Sequence, residues 1–277
     1  MEYIIYYLFA LFNYCLLRLY YCQHLVKSTV ESKMEQELIL LPILVATCAF
    51  ISGSTGLLGG SILLACLLAL FPLTQAMIIH GCLQCALNCF RAYLFRRHVC
   101  FGKLFYFLAG AVPTFLILVQ FTITPETWMV YVMLGSAGLV GALMKNLPGI
   151  GFKTPKQSAA AGAVVTGTVL TAGVGGPILD AFFVQAGLSR FQIMGTKSVA
   201  QGIAHFVKAS YFLSLASEAD LAAVPWSYIP VLLLISYTAT KLGKFVVEKM
   251  TECSFDKMNR ALVSLTSVSF LLRGILM

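Results

Sequence analysis

Two apolar stretches of this chain are broken at their centres by the same glycine-rich signature, at matching places in two halves. The first break reads Gly53-Ser-Thr-Gly-Leu-Leu-Gly-Gly-Ser61 and the second Gly167-Thr-Val-Leu-Thr-Ala-Gly-Val-Gly-Gly-Pro177. Gly59 recurs as Gly175, 116 positions later. A helix interrupted in a lipid-like interior frees backbone N–H and C=O groups that protein, water or a ligand must satisfy. Paired interruptions in two halves point to a substrate site between them.

Composition narrows the fold class. Of the 277 residues, 59% are hydrophobic and 11% charged, against about 25% charged in a soluble domain. Apolar runs of about 20 residues recur along the chain and predict an all-α, multi-pass membrane protein. The plasma membrane is expected rather than an organelle membrane. The formal net charge of +8 does not indicate nucleic acid, because the basic residues lie in short loops where they orient helices. Seven of the nine cysteines, all but Cys100 and Cys253, sit in apolar runs and read as packing residues. There is no His-Glu-x-x-His, P-loop or Gly-x-Ser-x-Gly motif, so no enzymatic activity is indicated. No cofactor and no bound metal is expected.

The order of runs divides the chain into an N-terminal anchor helix (1–25), a first repeat (38–145), a linker (146–157) and a second repeat (158–277). Arg96, Arg97, His98 and Lys103 form one basic loop. Lys145, Lys153 and Lys156 form another, and Lys249, Lys257 and Arg260 a third. The loops at Glu126 and at Glu218 and Asp220 carry no Lys or Arg. With the basic loops on the cytoplasmic side, the ordinary spans alternate correctly only if each broken run enters and leaves on one face. Each half is then a re-entrant hairpin plus about three spans, and the halves are inverted repeats. Two fully spanning broken runs give parallel repeats instead, at the cost of one misplaced basic loop.

Two sets of residues now resemble a known family. Gly56-Leu-Leu-Gly-Gly-Ser61 followed by Pro72-Leu-Thr-Gln-Ala76 is similar to the first half-repeat of the sulfite exporter TauE/SafE family. Gly173-Val-Gly-Gly-Pro-Ile-Leu179, with Gly187-Leu-Ser189 and Gly195-Thr-Lys-Ser198, is similar to the second. The resemblance covers about 38–277. It implies secondary transport of a small anion, typically sulfite, a sulfonate or a related organosulfur compound, sometimes a carboxylate. The chain departs from the first motif where three glycines are usual, reading Leu58-Gly59-Gly60, and has His80 where a small hydroxyl residue is usual.

A half-helix that starts inside a bundle points free N–H groups and the positive end of its dipole at the interior, which suits an anion. Gly59, Gly60 and Ser61 begin one such half-helix; Gly175, Gly176 and Pro177 begin the other. The glycines equally suit close helix packing. Ser54, Thr55, Thr168 and Thr171 offer hydroxyl donors or bond their own helices. A shift of 117 aligns Gln84, Asn88 and Arg91 with Gln201, His205 and Lys208, and the spacing places each trio on one helix face. Arg91 is read as snorkelling to the cytoplasmic surface, since Arg96 and Arg97 follow closely. The substrate-binding candidates are Thr55, Gly59, Gly60, Ser61, Gln84, Asn88, Gly175, Gly176, Pro177, Thr196, Lys197, Gln201 and His205. The proton-coupling candidates are His80, Asp180 and His205. Cys82, Cys85 and Cys89 also share a helix face, which leaves open a membrane assembly or metal-handling factor as a second reading.

Overall fold

The structure, a computed structural model, describes residues 30–55, 58–121, 124–144, 151–173, 175–184 and 186–277. The expected anchor helix, Gly56, Leu57 and the first part of the expected linker lie outside the described residues. The described chain is all-helical. The first half contains α1 (Val30–Thr55), α2 (Gly59–Leu70), α3 (Leu73–Leu94), α4 (Phe101–Leu118) and α5 (Thr127–Met144). The second contains α6 (Pro155–Ala172), α7 (Gly176–Val184), α8 (Arg190–Leu215), a short α9 (Glu218–Ala223), α10 (Ile229–Lys249) and α11 (Glu252–Leu276).

Local chemistry sets several of these boundaries. Thr154 and Gln157 form a capping box at the start of α6 with Pro155 in its first turn, and Ser189 with Gln192 does the same for α8. Such caps satisfy N–H groups that a helix start leaves orphaned. Gly173 ends α6 in the left-handed region, at φ 74°, a conformation that glycine adopts without steric cost. Before α2 the equivalent reversal falls on Leu58, at φ 56°, where an L side chain is strained.

Both breaks are reversals of direction. A Cβ on Gly59 would meet the Cys48 carbonyl and Ser52, and one on Gly175 would meet Val165 and Val169. The residue after each break thus lies beside residues well before it, so α2 doubles back on α1 and α7 on α6. With 12 and 9 residues, α2 and α7 are about 18 and 14 Å long. Neither reaches across a hydrocarbon layer of about 30 Å.

The most extensive helix pairings are α3 with α8, α1 with α10, α4 with α6, and α5 with α11. Exchanging the halves maps this set onto itself. The pair α3 and α8, equivalent under the 117-residue shift, is antiparallel: Gly81 meets Ala209, Gly202 meets Asn88, and Gly195 meets Phe95. The pair α5 and α11 is antiparallel too, with Gly135 and Gly138 against Ser267 and Gly274 against Val132. Small residues at these crossings let the backbones approach closely.

The connections gather at two ends. At one, Lys103 Nζ donates to the carbonyls of Phe152 and Lys153, the Cys100 N–H donates to Thr196 Oγ1 (2.9 Å), and Arg190 donates to the Met250 carbonyl. This end carries Arg96, Arg97, His98, Lys103, Lys153, Lys156, Arg190 and Lys249. At the other, Tyr211 Oη donates to the Phe121 carbonyl (3.2 Å) and Asp220 bonds Gln75. Glu126, Glu218 and Asp220 lie there. Chain α2 exits toward the acidic end; α6 begins, and α7 leads out, at the basic end.

Two described helices are long and apolar enough to cross a membrane, α4 and the segment Trp226–Lys249 that includes α10. They occupy equivalent places in the two halves. Their outer faces expose Phe101, Phe105, Leu116 and Ile117 on α4, and Leu234, Leu242 and Phe245 on α10. The interior holds Arg91, Lys197, Lys208, His80 and His205. Soluble proteins distribute apolar and charged groups in the opposite way.

Candidate functional site

The two central helices, α3 and α8, each grip both arms of the hairpin belonging to their own half. The residue types differ between halves while the tasks match. At the first equivalent position, His80 of α3 bonds the Gly60 carbonyl in α2 (2.8 Å), and Lys197 of α8 forms an ion pair with Asp180 in α7. Four residues on, Gln84 stands over Gly60 and Gln201 over Gly176, so that a Cβ added to either glycine would lie 3.2 or 3.0 Å from the amide. At the third position, Arg91 of α3 bonds Ser52 in α1, and Lys208 of α8 donates to the Gly173 carbonyl that caps α6 (2.9 Å).

Arg91 is not at the surface. It retains 3% of its exposure, and all five guanidinium N–H groups have acceptors. Nε donates to Ser198 Oγ (2.6 Å), Nη1 to the Ser52 carbonyl (2.8 Å) and hydroxyl (2.7 Å), and Nη2 to Gln201 Oε1 (3.3 Å) and Asn88 Oδ1. The snorkelling expectation is therefore corrected. The polar face of α8 supplies Arg91 with acceptors inside the bundle, which removes any reason for the side chain to seek water. Arg91, Lys208, Ser52 and Ser198 belong to the site beside the expected binding residues. The 117-residue shift carries the signal for Arg91 and Lys208, and Ser198 closes the motif Gly195-Thr-Lys-Ser198; no sequence signal marks Ser52.

The structure divides the other candidates. Gly60, Gly176, Gln84, Asn88, Gln201, His205, Lys197, Asp180 and His80 come together around the α3–α8 interface. Pro177 lies in the first turn of α7 as its missing N–H favours, and Ser61 is buried in the first turn of α2. Gly59 and Gly175 pack the hairpin arms rather than face the site. Thr55 donates to its own helix at Ile51 (2.7 Å), as Ser54, Thr168 and Thr171 do to theirs. Thr196 is turned away and accepts the Cys100 N–H, fastening the α3–α4 loop. Cys82 and Cys85 are half-buried and Cys89 is exposed. Among the described residues no three His, Cys, Asp or Glu side chains converge as metal ligands.

Two properties define what this arrangement can hold. Three basic side chains, Arg91, Lys197 and Lys208, are buried, and one carboxylate, the partly buried Asp180, pairs with Lys197 and acts on Arg91 at longer range. Among the described residues neither Arg91 nor Lys208 makes an ion pair with a carboxylate. Uncompensated buried charge is costly, and the half-helix starts at Gly60 and Gly176 add positive dipole ends. In addition, Gln84 Nε2, His205 Nδ1 and Asp180 Oδ2 are buried without hydrogen-bond partners among the described residues. Native structures leave few such groups. Open valences beside surplus positive charge suit a small polar anion. Comparison with protein-family models, curated proteins and solved structures finds no match to this chain.

Proposed function

We propose that this protein is a secondary transporter that moves a small anion across a membrane by alternating access, with the substrate held between the starts of α2 and α7. The observation that carries the reading is the surplus of buried cations over carboxylates at the place where the two half-helices begin. The resemblance to the sulfite exporter TauE/SafE family supplies the substrate class: sulfite, a sulfonate or a related organosulfur compound.

Further features support the membrane setting. The outer faces of α4 and α10 are apolar, and most of the Lys and Arg of the loops collect at one end of the bundle while Glu126, Glu218 and Asp220 lie at the other, together with Arg273, a distribution in line with the positive-inside rule. The antiparallel course of the equivalent helices α3 and α8 supports inverted repeats, with the first hairpin entering from the acidic end and the second from the basic end. Non-helical backbone is tolerated at membrane depth where protein surrounds it, and here α3 and α8 hold both breaks.

Flux into proteoliposomes of labelled sulfite, a sulfonate and a carboxylate tests the reading. Saturable flux of at least one is expected; none for any of the three overturns it. Thiol labelling of cysteines placed at Pro72 and Leu188 tests the topology, with opposite faces expected. Labelling from one face removes the inverted arrangement.

A further inference from the structure

His80 and Lys208 do more than line the site. Lys208 Nζ bonds His80 Nδ1 and donates to the Gly173 carbonyl at 2.9 Å, while His80 Nε2 donates to the Gly60 carbonyl at 2.8 Å. Gly60 belongs to the second arm of one hairpin and Gly173 ends the first arm of the other. The sequence of bonds Gly60–His80–Lys208–Gly173 therefore ties the two hairpins together through side chains of α3 and α8.

The geometry of this bridge sets an upper limit on the protons it holds. A carbonyl accepts only, so Nε2 carries hydrogen. One hydrogen then lies between Nδ1 and Nζ. Either a neutral His80 accepts from a Lys208 amine or ammonium, or a His80 imidazolium donates to a Lys208 amine. None of these arrangements holds more than one positive charge. A second proton would put two hydrogens on one line and two charges side by side, which breaks the bridge.

The neighbours leave this pair as the responsive element. Helices α2, α8, α9 and α10 pack against α3. Their ionisable groups are Cys66 on α2; Arg190, Lys197, His205, Lys208 and Tyr211 on α8; Glu218 and Asp220 on α9; and Tyr237, Lys241, Lys244, Glu248 and Lys249 on α10. On α3 itself are Cys82, Cys85, Cys89, Arg91 and Tyr93. Lys208 bonds His80, and His205 sets its ring edge-on at 5.2 Å. Beyond these, Asp180 of α7 is held by Lys197. Besides His80 and Gly173, Lys208 Nζ has among the described residues only the Met77 thioether at 3.9 Å, a weak acceptor that an anion would replace.

We propose that the His80–Lys208 pair is the proton-coupling element of the transporter: it carries no more than one charge while it bridges the hairpins, and an entering anion draws in the proton that takes it past that limit. The proton comes from water on the open side and goes to the nitrogen lacking it. The bridge opens and the hairpins are free to move. This rests on the anion reading above. By linkage, a proton that favours the anion is favoured by it to the same degree.

Calorimetric titration of the purified protein with a sulfonate, in two buffers of unlike ionisation enthalpy, counts protons taken up per anion bound. A sulfonate keeps its own charge near neutral pH, so uptake reports the protein. The wild-type chain is expected to take up at least about one proton per anion, and His80→Gln to bind more weakly with uptake near zero. Binding by the wild-type chain without proton uptake overturns the proposal, whether or not the variant folds. Unchanged uptake in His80→Gln overturns it as well. If no sulfonate, sulfite or carboxylate binds the wild-type chain, the transport reading itself fails and takes this inference with it.

Discussion

Replacing Arg91 tests how the bundle is fastened. Of its five hydrogen bonds, four cross to other helices, two to Ser52 on α1 and one each to Ser198 and Gln201 on α8. Bonds between membrane helices contribute about 0.6 kcal/mol each on average and at most about 1.7. Four of them set the scale for Arg91→Met at about 2–3 kcal/mol. The stranded acceptors at Ser52 and Gln201 act in the same direction. Arg91→Lys keeps the charge but offers three donors in place of a planar fork, and should lose about half as much. Reversible unfolding in mixed micelles reads both values. A cycle combining Arg91→Met with Ser52→Ala should show coupling above about 0.5 kcal/mol, since the two side chains touch. A surface arginine would give about 0.5 kcal/mol or less and no coupling. That result for Arg91→Met would refute the clasp.

Other consequences are local. At Leu58 the backbone φ of 56° penalises any Cβ, so Leu58→Gly should exceed Leu58→Ala in stability by about 1 kcal/mol. That ordering reverses the one expected in a helix interior, and an alanine variant that is the more stable contradicts it. A Cβ on Gly162 would lie 1.9 Å from the Phe107 carbonyl, whereas one on Gly167 would meet nothing within 4 Å. Gly162→Ala should therefore lower the unfolding temperature clearly while Gly167→Ala leaves it level or raises it; equal effects contradict the α4–α6 packing. The Asp220 carboxyl is held below the usual carboxylate range by hydrogen bonds from the Ser217 hydroxyl and backbone N–H. A depressed folded-state value means that the contribution is present above the unfolded value and fades as pH falls through the folded one. Asp220→Asn should thus speed amide exchange in α9 at neutral pH, with the difference vanishing in strong acid. A difference that persists there contradicts the capping role.

The sequence made the helices legible because apolar runs and glycine breaks are local signals. It also made the correspondence of α3 and α8 legible, since Gln84, Asn88 and Arg91 align with Gln201, His205 and Lys208 at one shift. What it could not convey is which face of each residue meets which helix. Gly59 and Gly60 are neighbours of one type, yet the first packs against α1 and the second faces Gln84. Arg91 resembled a surface anchor because Arg96 and Arg97 follow it in the chain. Its burial depends on acceptors contributed from residues 52, 198 and 201, far away in sequence. Thr196 reads as a site residue because it shares the motif Gly195-Thr-Lys-Ser198 with Lys197, but one step along a helix turns a side chain by about 100°. That rotation carries it to the α3–α4 loop.

The central claim is that an anion is held where α2 and α7 begin, and Gly60→Ala and Gly176→Ala probe that place directly. Each added methyl presses on Gln84 or Gln201, at 3.2 and 3.0 Å, while alanine favours the helix by about 1 kcal/mol over glycine. Anion flux in proteoliposomes, measured alongside thermal unfolding, should show KM raised about tenfold in both variants, about 1.4 kcal/mol of lost binding, with stability kept or increased. Flux indistinguishable from wild type in both variants would contradict the account.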